Sequence, residues 1–133
     1  RLPNTIFTGH IEGETLTAAY ASADLFFFPS AVETFGCVTL EAMASGLPCL
    51  CANAPGSRTL GLDGEAAVLA KRDDVDDFLA KTIALIEDPA ARQRLGARAL
   101  QRARDFSWSA ANGRLMATPS ASATALNATC PLR

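Results

Sequence analysis

Long apolar runs are missing from this chain: none approaches the roughly 20 residues a membrane helix needs, and the opening "RLPNTIFTGH" lacks a charged region followed by a hydrophobic stretch. Neither secretion nor membrane spanning is indicated. A surplus of positive charge is missing too. Twelve Lys and Arg stand against 14 Asp and Glu, a net charge of -2 that exerts no global pull toward nucleic acid. Histidine is reduced to one residue, His10, which reads as a loop or strand-end residue rather than a catalyst. The cysteines Cys37, Cys49, Cys51 and Cys130 lack paired metal-ligand spacing, and Cys49 and Cys51 fall on one face of a strand. They read as reduced, packed thiols of a cytoplasmic protein. The triplet "NAT" at Asn127 fits a glycosylation acceptor, but such triplets arise often by chance. What is present is 133 residues of which 49% are hydrophobic, which excludes disorder and allows one ordinary domain with a real core.

The apolar pattern along the chain alternates between short continuous runs and helical spacing. Thr5 to Thr8 is a β-prone run closed by Gly9, and "TLTAAYASAD" then places Leu16, Ala19, Tyr20 and Ala23 at helical intervals. Leu25 to Phe28 is uninterrupted apolar sequence, as in a strand covered on both faces, and Pro29 ends it. From Gly36, "GCVTLEAMAS" is rich in helix formers, with Gly46 placed as a left-handed cap and Pro48 as a stop. "CLCA" makes a third short strand, and "NAPGSRTLGLDGE" has the composition of a long loop. Asp73 or Asp74 can cap a helix through "VDDFLAKTIALIED", and Asp88-Pro89 opens another. After about Met116 the sequence is Ser, Thr and Ala without period, so residues 117–133 read as a loose tail behind a lobe of residues 1–116. The order strand, helix, strand, helix, strand predicts a Rossmann-like, doubly wound parallel α/β sheet.

Ligands of such sheets bind at the carboxyl ends of the strands. "PSAVETFG" leaves that end of the Leu25 to Phe28 strand and runs into the next helix, which places Glu33 at the crevice. A helix starting near Gly36 aims the N–H groups of Phe35, Gly36, Cys37 and Val38 at the same place, a ready site for phosphate. Glu41 lies about a turn further on, where its carboxylate can accept two hydroxyl hydrogen bonds, as vicinal sugar hydroxyls offer. Two acceptors flanking a phosphate cradle describe a sugar nucleotide diphosphate.

The stretch "ETFGCVTLEAMASGLP" resembles the E-x7-E motif of retaining GT-B glycosyltransferases of family 4, with Glu33 and Glu41 as its two acids. "FTG" and "LTAAYASADLFFFPS" before it agree, as do "PGS", "GLDGEAAVLA", "FLAKTIALIEDPAARQRLG" and "FSW" after it, so the resemblance covers roughly Ile6 to Trp108. It implies a piece of the carboxyl-terminal, donor-binding lobe of a GT-B fold. It further implies that Glu33 meets the donor sugar and positions it at the catalytic centre, not as a nucleophile. The amides of Phe35, Gly36, Cys37 and Val38 contact sugar and pyrophosphate, and Glu41 holds the ribose. The parent enzyme would transfer a hexose, mannose or glucose foremost, from a UDP-sugar or GDP-sugar to a glycan or glycolipid acceptor, with retention and without a metal. The leaving phosphate would itself assist the acceptor's deprotonation. Two rivals are a sugar-nucleotide epimerase of the same fold and a noncatalytic sugar-nucleotide-binding remnant.

Other features have plainer explanations. The Asp73 to Asp77 cluster suits the first turn of a helix and needs no metal. Arg94, Arg98 and Arg102 form a stripe opposite Ala91, Leu95 and Ala99; a solvated face is the default, and peripheral contact with anionic lipid on the cytoplasmic side is the minority reading. A structural role for Glu41 would pair it with Arg58 or a backbone group. Between Arg1 and Arg58 there is no Lys or Arg to face a pyrophosphate. Family members supply that charge, and the acceptor site, from preceding stretches, so the sequence reads as a fragment that transfers nothing alone.

Overall fold

The computed structural model describes residues 3–60 and 65–106. The readings made above for Arg1, Trp108, Asn127, Cys130, the 117–133 tail and the 61–64 part of the long loop lie outside the described residues. The elements run α1 (Gly13–Ser22), β1 (Phe26–Phe28), α2 (Cys37–Ala44), β2 (Cys49–Ala52), α3 (Pro55–Thr59), β3 (Val68–Ala70), α4 (Val75–Glu87) and α5 (Pro89–Ala103), closed by a 3-10 turn at Arg104–Phe106.

The three strands form one parallel sheet in the order β1-β2-β3. Phe26 pairs with Cys49 and Phe28 with Cys51, while Leu50 pairs with Val68 and Ala52 with Ala70. β2 is central and wholly buried. Its alternation divides the core: Cys49 and Cys51 face Ala42, Met43, Leu60 and Ala99, while Leu50 and Ala52 face Phe78, Leu85 and Leu95. Helices therefore cover both faces, as the doubly wound reading requires. A fully buried leucine such as Leu50 contributes about 1.5–3 kcal/mol through burial.

Helix ends follow their local sequence. Gly46 adopts φ +76°, which a side chain would resist, and ends α2 in a Schellman turn in which Leu47 N–H donates to Ala42 O (3.1 Å) and Gly46 N–H to Met43 O (3.0 Å). Asp74 caps α4 by accepting from Asp77 N–H at 3.0 Å. Asp88 caps α5 by accepting from Ala91 N–H at 2.8 Å, with Pro89 at the first helical position. Gly96 of α5 lies so close to the Gly46 carbonyl oxygen that any side chain at 96 would collide with it.

Four expectations are corrected. Thr5 to Thr8 is not a strand: no ladder engages it among the described residues, and Ile6 and Phe7 are 87% and 86% exposed, so β propensity without a partner leaves extended chain. The 53–65 segment is not all loop, because Pro55 starts the short helix α3. Val68–Ala70 is a strand hidden in "EAAVLA", so the third strand of the sheet lies after β2 rather than at residues 5–8. β1 is not covered on both faces: Phe27 is 48% exposed, its ring meeting Phe78 edge-on at 5.4 Å. The arginine stripe also divides. Arg98 is exposed and Arg94 reaches Asp88 at 3.9 Å, but Arg102 turns inward to donate to Leu60 O (3.0 Å) and Asp105 (2.9 Å).

Candidate functional site

The loops after β1 and β2 leave the sheet at its carboxyl edge and touch each other there. Gly56 N–H, in the first turn of α3, donates to the Glu33 carbonyl at 2.9 Å. A Cβ on Gly56 would lie 2.7 Å from Glu33 Cγ and 2.8 Å from Glu33 O, so only glycine allows this approach. Behind them the buried Ser57 hydroxyl donates to Ala52 O at 2.7 Å, fixing α3 to the end of β2.

Gly36 is the N-cap of α2 and has φ +85°, the left-handed region that suits glycine. Its missing side chain also admits Leu60, whose Cδ1 lies 2.8 Å from where a Cβ would stand. The first intrahelical bond of α2 runs from Leu40 N–H to Gly36 O at 2.8 Å. The amides of Cys37, Val38 and Thr39 thus belong to the helix's opening turn, which has no intrahelical carbonyl to meet. Phe35, Cys37 and Val38 are exposed and Gly36 is buried. The Phe35 ring meets Phe106 edge-on at 6.3 Å, and the Arg102 guanidinium lies 5.2 Å over that Phe106 ring.

Glu33 and Glu41 both lie on this β1–α2 unit, in different surroundings. Glu33 is half-buried, and its Oε1 accepts from Thr34 N–H and Gly36 N–H, each at 3.1 Å. Its carboxylate therefore occupies the mouth of the α2 N-terminus. Glu41 is exposed and its Oε2 accepts from the Tyr20 hydroxyl at 3.2 Å. Its polar partner is thus a phenol on α1; Arg58, the partner weighed from the sequence, instead donates from Nε to Asn53 Oδ1 at 3.3 Å. The Tyr20 phenol is pushed above its usual value of 10.0, first by burial and then by the charge and hydrogen bond of Glu41. Tyr20 and Gly56 escaped the sequence reading. Tyr20 counted there only as an apolar helix position; its being the chain's single tyrosine was the available signal.

Three acids of the Asp73 to Asp77 cluster are engaged at the start of α4. Asp74 caps α4, Asp73 lies 3.2 Å from Arg72, and Asp77 pairs with Lys81 at 2.6 Å. Among the described residues no three His, Cys, Asp or Glu side chains gather as a metal site, and no helix is long and apolar enough to cross a membrane.

Comparison with known proteins matches this architecture. The chain is 37% identical over 113 residues to the sulfoquinovosyl transferase SQD2 of Arabidopsis thaliana, covering 83% of this chain and 22% of that protein. It is 37% identical over 110 residues to a D-inositol 3-phosphate glycosyltransferase of Thermomonospora curvata, covering 83% and 26%. Among solved structures, sucrose-phosphate synthase from Thermosynechococcus elongatus superposes with a TM-score of 0.74 at 30% identity, over 84% of this chain and 29% of that one. The chain spans about a quarter of the length of these relatives. Its doubly wound parallel sheet is that of a GT-B lobe. The family model described as glycosyl transferases group 1 runs over residues 2–102, across the sheet, both acids and the helices that flank them, and the chain belongs to that family.

Proposed function

We propose that the β1–α2 unit is the donor side of a retaining, family 4 hexosyltransferase using a UDP-sugar or GDP-sugar. Glu41 accepts the ribose hydroxyls, the amides of Phe35, Gly36, Cys37 and Val38 cradle the pyrophosphate, and Glu33 positions the sugar. The observation that carries this reading is an exposed carboxylate, Glu41, about one turn into a helix that begins at the carboxyl edge of a parallel sheet. Glu33 and a donor phosphate would compete for the Gly36 N–H, and two negative charges at one amide repel. Glu33 therefore swings outward when the donor arrives, which brings its carboxylate to the sugar hydroxyls.

The chemical task is to stabilise the leaving diphosphate while the acceptor oxygen attacks the anomeric carbon on the same face. The α2 N-terminus contributes about 0.3–1 kcal/mol toward an exposed anion. Arg58, exposed on α3 two residues from the Glu33 contact, is the nearest cation in sequence to add to it. We assign no metal to the step, since Asp73, Asp74 and Asp77 are engaged with α4 and neighbouring basic groups. The acceptor is a glycan or glycolipid.

Ligand-observed NMR of UDP, GDP and ADP with this chain, which detects weak binding, is the test. Signal from one nucleotide that disappears in Glu41→Ala supports the reading and identifies the base. Signal that survives unchanged in Glu41→Ala overturns it, as does silence both from a folded sample of this chain and from the same test on a longer chain.

A further inference from the structure

We infer that Tyr20 is a positioning residue for Glu41, and that through it α1 sets how strongly the site prefers a ribonucleotide over a deoxyribonucleotide. The inference rests on the donor-site reading above. It begins with the chemistry of the pair. An exposed glutamate has three side-chain torsions and no reason to keep one orientation; a fixed neighbour that donates to one oxygen removes most of that freedom. Tyr20 is such a neighbour, because its hydroxyl meets Glu41 Oε2 at 3.2 Å across 21 residues of sequence.

The ring is well held. Tyr20 packs against the core cluster that contains Cys49 and Met43, with its ring 6.1 Å from Phe26, which itself stacks on Phe28 at 5.7 Å. Burial and the adjacent Glu41 charge keep the phenol protonated through neutral pH, so it remains a donor. A carboxylate has about four lone-pair positions on two oxygens. With Tyr20 occupying one on Oε2, the Oε1 side remains for a pair of vicinal hydroxyls, and the plane of the carboxylate is set before they arrive. Preorganisation of this kind strengthens binding without a new contact to the ligand. It acts only on what Glu41 touches, so it raises affinity for the 2′,3′-diol and leaves the base and the phosphates unaffected. α1 has no fully buried residue of its own, and this bond ties it to α2.

The experiment compares the nucleotide diphosphate that binds with its 2′-deoxy analogue, by NMR titration of the whole chain, in wild type, Tyr20→Phe, Glu41→Ala and the double variant. Tyr20→Phe keeps the ring and removes the donor. Ribonucleotide affinity should fall about three- to tenfold, the range of one net hydrogen bond, and deoxynucleotide affinity much less, so the ratio between them shrinks. In the Glu41→Ala background the same change should have no effect on the ratio. The ratio is unaffected by partial unfolding, which lowers both affinities alike. A Tyr20→Phe variant that retains the wild-type ratio refutes positioning by Tyr20 even while Glu41→Ala confirms the ribose site. Loss of discrimination in neither variant refutes the donor-site reading and this inference with it.

Discussion

At the scale of single residues, the site is governed by close approaches that no spacing rule reports. Gly56 is the sharpest case: a Cβ would press on both the side chain and the carbonyl of Glu33, and the carbonyl cannot rotate away. Gly56→Ala is expected to cost about 1–3 kcal/mol as the two loops separate. A urea titration would show this as a lower midpoint with unchanged slope, and a midpoint equal to wild type would mean the loops part without strain. The positions of Glu33 and Glu41 were legible because the Phe-Gly step between strand and helix puts the first before α2 and the second about a turn into it. Tyr20 was not legible as a partner. Its helical spacing fits a core position equally well, and only packing of α1 on β1 brings its hydroxyl to Glu41.

At the scale of elements, α4 carries a pH-dependent end. Asp74 is held below the usual 3.8 first by the Asp77 N–H and then by Lys71, and Asp77 first by Lys81 and then by the Lys71 N–H. Depressed carboxyls bind fewer protons folded than unfolded, so they stabilise the fold above pH 3.8 and lose that contribution as pH falls through their lower native values. Protection of the α4 amides, taken as exchange relative to the intrinsic rate at each pH, should fall over that acid window, and Asp77→Asn should flatten the change. An unaltered profile in Asp77→Asn would remove Asp77 from the account. Caps at Asp74, Asp88 and Gly46 were readable because a cap is a local bargain between one side chain and one turn. Thr5 to Thr8 was misjudged, and Val68–Ala70 missed, for the opposite reason: whether three or four residues become a strand depends on a ladder partner far away in sequence.

At the scale of the whole molecule, the doubly wound arrangement was legible from alternation alone, while the position of the third strand was not. One consequence of two packed faces can be read from the cysteines. Cys37 is exposed, whereas Cys49 and Cys51 are buried in β2. Burial pushes the Cys49 thiol far up, and it pushes Cys51 up to about 11 against a small opposing effect of Thr39. Thiolate is the reactive form, so a maleimide should modify Cys37 promptly and Cys49 and Cys51 only at the rate of global opening, as peptide-resolved mass spectrometry would show. Equal rates at all three would contradict a closed core. The seam between α5 and the end of α2 bears on sequence change over generations. At Gly36 the obstacle to a larger residue includes the Leu60 side chain, which another mutation can trim. At Gly96 the obstacle is the main-chain oxygen of residue 46, an atom that every amino acid carries. No second substitution can make room there, so position 96 should stay glycine in any descendant that keeps this docking of α5, however far the rest of the helix drifts.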